Sequence, residues 1–200
     1  NAEMEAIALE KGFDALFPPD VVKESESISK NGIKEEDIKG RRDIRTTTTF
    51  TIDPEDAKDF DDAISFKKMS DGLYEVGIHI ADVSYYVRQN TSLDEEARRR
   101  GTSVYLVDRT IPMLPEELSN DLCSLNPNVD RLTFSAIFEM DIHGHVRKEW
   151  FGRTIIHSDK RFTYENAQKV LDDGHGVMWS ELNTLNNIAK KLAKKRFDEG

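Results

Sequence analysis

The chain has 200 residues, 38% of them hydrophobic and 33% charged, which suits one domain with a core and a solvated surface, or one large domain with an appendage. No run nears the roughly 18 apolar residues that span a membrane, and no basic-then-apolar leader is present, so a cytoplasmic protein is expected. A single cysteine, Cys123, excludes an internal disulfide, and a net charge of −10 runs against a nucleic-acid partner unless the acids are gathered at a metal site.

Residues 2–11 read as a short helix, and the Pro18-Pro19 pair as its stop. The polar stretch from Lys23 to Arg45 reads as a loop with helical turns. "TTTTFTID" is rich in β-formers, "DAISFKKM" is a second strand, "SDG" a turn, and "LYEVGIHIADVSYYV" alternates as a third strand. "TSLDEEARRRG" is a helix with a capping box at Ser92 and Glu95, basic residues Arg98–Arg100 in its last turn, and Gly101 beyond. "TSVYLV" is a further strand, and "LTFSAIFEMDI" and "VRKEWFGRTIIHS" are two more, joined by the turn "HGH". Helices follow at about 163–172 and 181–197, the second with apolar residues at helical spacing. The chain opens inside a helical pattern without methionine and closes as a helix ends, which reads as a piece of a longer protein.

The chemistry concentrates in "TIDPEDAKDFDDAI", where Asp53, Glu55, Asp56, Asp59, Asp61 and Asp62 fall within ten positions. A solvated acidic loop is the plain alternative. A calcium loop counted from Asp53 fails, because Lys58 stands where glycine is needed and Ile64 where glutamate is. Zinc prefers nitrogen and sulfur, and no His or Cys lies in the run. What remains is an all-oxygen site for a hard cation, Mg2+ or Mn2+, of the kind that serves phosphoryl chemistry, in pairs about 4 Å apart where two are used. Ala57, Phe60, Ala63 and Ile64, interleaved with the acids, predict a tucked-in turn rather than a floating loop.

With these motifs in view the sequence resembles the RNB exoribonucleases, the ribonuclease II and ribonuclease R family, and is nearest in detail to bacterial ribonuclease R. The acidic motif carries the resemblance. "RRDIR" before it, "VGIHIADVSYYV" and "GTSVYLVDRTIPMLPEELSNDLCSLNPNVDRLTFS" after it, and the late "HSDKRFTYENAQKVL" extend it over about residues 10 to 175. The resemblance implies an α+β fold with a mixed or antiparallel sheet and peripheral helices. Residues 46–200 would be the N-terminal part of the catalytic domain, with residues 1–45 a helix and linker leading into it.

It also implies a magnesium-dependent exoribonuclease that digests single-stranded RNA processively from the 3′ end to nucleoside 5′-monophosphates. The family's four aspartates fall on Asp53, Asp59, Asp61 and Asp62, with Asp61 nearest the chemical step and the set holding metal. Glu55 and Asp56 lie inside the motif but outside that set, as local or solvated residues. Tyr105 matches the aromatic that stacks near the 3′-terminal nucleotide, and Tyr164 is a second candidate RNA contact.

His79 and Asp82 are expected to be bonded within the sheet and Cys123 to be a packed small side chain. Arg98–Arg100 and Lys190–Arg196 are expected to be helix C-terminal charge. Tyr85 and Asp121 depart from the residues common in relatives, which carry histidine and glycine there. In the family the domain continues, supplies a phosphate-clamping arginine, and is flanked by cold-shock and S1-type domains. The fragment alone is therefore expected to be inactive. The alternative is an RNB protein that binds RNA as a scaffold without cutting, although all four aspartates are in place.

Overall fold

The computed structural model describes residues 9–106 and 109–199. The helix expected over 2–11 lies outside the described residues except for Leu9–Lys11. The first full helix, α1 (Pro19–Asn31), takes up the first part of the stretch from Lys23 to Arg45 expected to be a loop with helical turns. Pro18-Pro19 does not stop a helix but starts one: Pro19 sits at the first helical position, where its missing N–H leaves nothing unpaired. Val21 and Ser25 of α1 are buried. A single turn, α2 (Glu35–Ile38), and a two-residue strand, β1 (Arg42–Asp43), follow.

The centre is a seven-stranded sheet. β2 (Thr49–Asp53), β3 (Asp62–Lys68) and β4 (Tyr74–Ala81) are joined in series to β7 (Asp130–Met140), β8 (Val146–His157) and β9 (Lys160–Thr163) in the order β1-β8-β7-β4-β3-β2-β9. Pairs β1/β8 and β2/β9 are parallel and the rest antiparallel, so the expected mixed sheet is present. β4 ends sooner than expected. Past Ala81 the Asp82 amide bonds the Leu132 carbonyl, and the chain turns into α3 (Val83–Tyr86). After α4 (Ser92–Arg100), the expected strand 102–107 contracts to β5 (Val104–Tyr105), which pairs with β6 (Thr110–Ile111) apart from the main sheet; Val107 lies outside the described residues. A π-helical segment, Glu117–Leu122, precedes β7, and α5 (Tyr164–Asp173) and α6 (Trp179–Glu199) close the fold.

Successive strand residues face opposite sides, so Ala63 and Ile64 of β3 report two layers. Ala63 joins the main cluster, with Val21, Leu93, Leu118, Leu122, Leu132 and Ile155. Ile64 belongs to the other side, where Phe50, Phe162, Leu182 and Ile188 bring α5 and α6 onto the sheet. Beyond the reach of α6 that second face stays open, with Ile78, Ile80, Phe134 and Phe151 each about half exposed. Among the described residues no helix is long and apolar enough to cross a membrane.

Candidate functional site: an acidic loop at one end of the sheet

β2 and β3 are antiparallel neighbours, with Phe50 opposite Ile64, so the acidic loop is the link between them. Asp53 ends β2 and Asp62 begins β3, while Asp59 and Asp61 ride on the link. The link is tucked in. Phe60 is 6% exposed and packs in the main cluster with Ala57 and Ala63. The Phe60 amide donates to Ser124 Oγ (2.9 Å), and its carbonyl accepts from the Leu125 amide (2.8 Å). The Asp61 carbonyl accepts from the Ala81 amide (3.1 Å). Glu55 and Asp56 are exposed, in keeping with a solvated role.

The four aspartates share one electrostatic field. Burial raises the Asp53 carboxyl above the usual range; the charges of Asp62 and Asp59 add to this, and the Thr51 hydroxyl and then Arg161 oppose it. Asp61 is raised by local desolvation and then by Asp59, Asp62 and Asp53, although the residue reaches solvent. One Asp53 oxygen, Oδ2, is buried without a hydrogen-bond partner among the described residues. The Thr51 hydroxyl is near enough to act on this carboxyl but makes no full hydrogen bond to Oδ2. A buried carboxylate oxygen left so, amid repelling carboxylates, suits a hard cation; Mg2+ and Mn2+ fit this all-oxygen donor set. Among the described residues no three His, Cys, Asp or Glu side chains converge closely enough to hold an ion as they stand. The donors are therefore coupled by charge rather than drawn into one cage.

One aromatic ring is bonded to the loop and a second lies on an element that adjoins it. Tyr105 is 67% exposed on β5, and its hydroxyl donates to Asp59 Oδ2 (2.9 Å). That bond, with burial and the Asp59 and Asp61 charges, raises the phenol above its ordinary value. Tyr164, also exposed, starts α5 directly after Thr163, the residue paired with Asp53 across β2 and β9. Tyr105 thus meets a carboxylate remote in sequence, while Tyr164 is the chain neighbour of the residue that Asp53 pairs with.

Arg161 is the residue that sequence reasoning missed. On β9 it lies opposite Thr51, and its Nη2 donates to the carbonyls of Pro54 (2.7 Å) and Glu55 (2.8 Å). Its guanidinium lies 5.0 Å from the centre of the Phe60 ring. Nothing local in "DKRFTY" signals this, because the placement depends on strands paired across a hundred residues.

The remaining polar candidates have structural partners. His79 is fully buried with Nδ1 2.7 Å from Ser135 Oγ, so it is bonded within the sheet as expected. Asp82 instead lies just past β4, in a buried ion pair with Arg41 (2.7 Å). Cys123 is packed in the main cluster, where burial pushes its thiol up to about 12. Arg100 does more than complement a helix end: its side chain is buried, pairs with Glu96 and donates to the Leu16 and Pro112 carbonyls. In the Lys190–Arg196 cluster, Lys191 donates to the Ile142 carbonyl and Lys195 approaches Glu199. Tyr85 donates to Asp37, and Asp121 pairs with Arg131 (2.5 Å).

Comparison with known proteins gives the arrangement a context. The sequence is 44% identical over 187 residues to DIS3-like exonuclease 2 of Schizosaccharomyces pombe, covering 84% of this chain and 20% of that protein. It is 47% identical over 155 residues to Ribonuclease R 1 of Lactococcus lactis, covering 78% of this chain and 19% of that protein. The fold superposes on Mycoplasma genitalium RNase R, solved in complex with ribose-methylated single-stranded RNA, with a TM-score of 0.86 at 29% identity over 99% of this chain and 31% of that one. The chain thus spans about a fifth of the length of these curated relatives. The RNB domain model matches residues 41–200, the region that holds the sheet, the acidic loop and both tyrosines, and the chain belongs to the RNB domain family.

Proposed function

We propose that this chain carries the metal-holding part of a magnesium-dependent 3′→5′ exoribonuclease that digests single-stranded RNA processively to nucleoside 5′-monophosphates. The observation that carries the reading is the gathering of Asp53, Asp59, Asp61 and Asp62 on the one link between β2 and β3, beside an exposed aromatic ring bonded to one of them. Residues 46–200 are assigned to the catalytic domain and residues 1–45 to its lead-in. Flanking cold-shock and S1-type domains belong to the whole protein, whose setting is the cytoplasm.

Asp53, Asp59 and Asp62 would hold Mg2+, with Mn2+ able to substitute, and Asp61 completes the set. A bound divalent ion supplies charge neutralisation at the phosphate and a more acidic water. Asp61 accepts a hydrogen bond from the attacking water and so fixes its direction. Tyr105 offers its exposed face to the terminal base, and its hydroxyl bond to Asp59 fixes the ring relative to the carboxylates. Tyr164 gives a second face on the β9 side. Stacking accepts any base, so cleavage is insensitive to sequence. Positioning of this kind is a large part of catalysis for such a substrate.

The test uses the full-length protein, 5′-labelled single-stranded RNA and Mg2+, with Asp61→Asn alongside. Progressive shortening from the 3′ end by the wild type, with retained binding but no cutting by the variant, is the expected result. Binding without cutting by both would mark a scaffold and overturn the catalytic reading. Residues 1–200 alone are expected to release no mononucleotides, and brisk magnesium-dependent release by this piece would refute that expectation.

A further inference from the structure

The acidic loop is held unevenly. Its second half is fixed by backbone bonds at Phe60 and Asp61 to Ser124, Leu125 and Ala81. Its first half, Pro54 to Asp56, has far less. Among the described residues its hydrogen bonds are the turn from the Ala57 amide to the Pro54 carbonyl (3.2 Å) and the two bonds from Arg161 Nη2. One guanidinium, 107 residues away in sequence from Pro54, therefore holds the stretch directly after Asp53.

The group suits the task. A guanidinium is planar and permanently charged, and the N–H directions of each nitrogen are fixed by that plane, so Nη2 alone reaches both carbonyls. It lies over the Phe60 ring, so the same side chain ties the first half of the loop to the residue that anchors the second. Its Nε is buried without a hydrogen-bond partner among the described residues, which leaves the terminal nitrogen as the working end. Its charge also faces Asp53.

We propose that Arg161 is a positioning residue that sets the shape of the Pro54–Asp59 segment, and with it the spacing of Asp53 and Asp59, before any cation arrives. This rests on the metal-site reading above. It makes a counterintuitive demand. Removing a positive charge beside a cation site strengthens cation binding if Coulomb forces alone act. If Arg161 shapes the loop, removing it weakens cation binding.

The experiment compares the wild-type protein with Arg161→Gln and Arg161→Lys. Amide hydrogen exchange is followed across residues 50–66, and Mn2+ binding is followed by electron paramagnetic resonance. Lysine keeps the charge and most of the stem but not the planar group with its fixed N–H directions or its place over the Phe60 ring, and it supplies a second folded variant should glutamine unfold the protein. The expected result is exchange at Ala57 at least tenfold faster in both variants, with the paired amides of β2 and β3 unchanged. Mn2+ affinity should fall at least fivefold in Arg161→Gln, with no rescue by Arg161→Lys. Unchanged exchange at Ala57, or Mn2+ bound by Arg161→Gln as tightly as by wild type, overturns the proposal. If the wild type binds no Mn2+, the metal-site reading falls; the Ala57 exchange then decides the shaping role by itself, acceleration supporting it and no change refuting it.

Discussion

The Tyr105 hydroxyl donates to Asp59 Oδ2 across 2.9 Å, joining a two-stranded outlier of the fold to the acidic loop. The ring is left 67% exposed, so bond and stacking face can be tested separately. In the full-length protein with Asp61→Asn to block cutting, Tyr105→Phe keeps the face and loses the bond. RNA affinity, read by fluorescence anisotropy, should stay within about threefold for Tyr105→Phe. It should drop roughly 5- to 150-fold for Tyr105→Ala, the equivalent of about 1–3 kcal/mol of base stacking. Equal losses in the two variants would mean that the hydroxyl bond matters rather than the ring.

Arg41 and Asp82 form the most secluded ion pair among the described residues, with side chains 4% and 2% exposed and 2.7 Å between them. Arg153 approaches the same carboxylate at 3.5 Å, and Arg41 also donates to the Thr133 and Thr154 carbonyls. Removing one partner strands a charge away from water. Asp82→Ala should therefore cost about 3–5 kcal/mol in urea unfolding. Replacing both, as Arg41→Met with Asp82→Leu, should recover part of that loss. A cost below about 1 kcal/mol for Asp82→Ala would show that water reaches the pair.

Helix α4 offers a sharper test of where its cap lies. The sequence pattern placed the capping box at Ser92 and Glu95, but the N-cap is Thr91, whose hydroxyl accepts from the Asp94 amide (3.3 Å). Thr91→Ala should cost about 1 kcal/mol in thermal unfolding and Ser92→Ala only a few tenths. The reverse order would restore the sequence-based assignment.

The one-residue shift shows what the sequence carried. Element type was legible wherever a local signal dominated: alternation in β7 and β8, helical spacing in α6, and the left-handed Gly101 (φ 71°) that ends α4. α1 was lost because a Pro-Pro pair reads equally well as an end or a beginning. The deciding fact, Val21 against Leu93 and Leu118, is tertiary. The parallel pairs β1/β8 and β2/β9 were beyond reach, since both join segments remote in sequence. The site divides the same way. The four aspartates were visible as a cluster within ten residues, whereas Arg161 reaches the Pro54 and Glu55 carbonyls of their loop only through the β2/β9 pairing.

His79 gives a pH prediction with a definite sign. It is fully buried in β4, Nδ1 meets Ser135 Oγ at 2.7 Å, and Nε2 has no hydrogen-bond partner among the described residues. There is no slack beside it: a Cβ added to Gly77 would stand 2.6 Å from the ring's Cε1 and Nε2. Burial without a counter-charge disfavours the protonated ring and lowers its pKa from 6.5 to about 4. The unfolded chain takes up this proton below about pH 6.5 while the folded chain refuses it until about pH 4. The stability linked to His79 is thus fully present well above pH 6.5 and is lost as pH falls from there towards 4, at up to roughly 1.4 kcal/mol per pH unit between the two values. Urea unfolding at pH 6.5 and at pH 5 should show wild type losing about 1.5 kcal/mol more than His79→Leu, whose apolar side chain has no proton to take up. Parallel losses in the two proteins would mean that the buried imidazole accepts its proton without opposition.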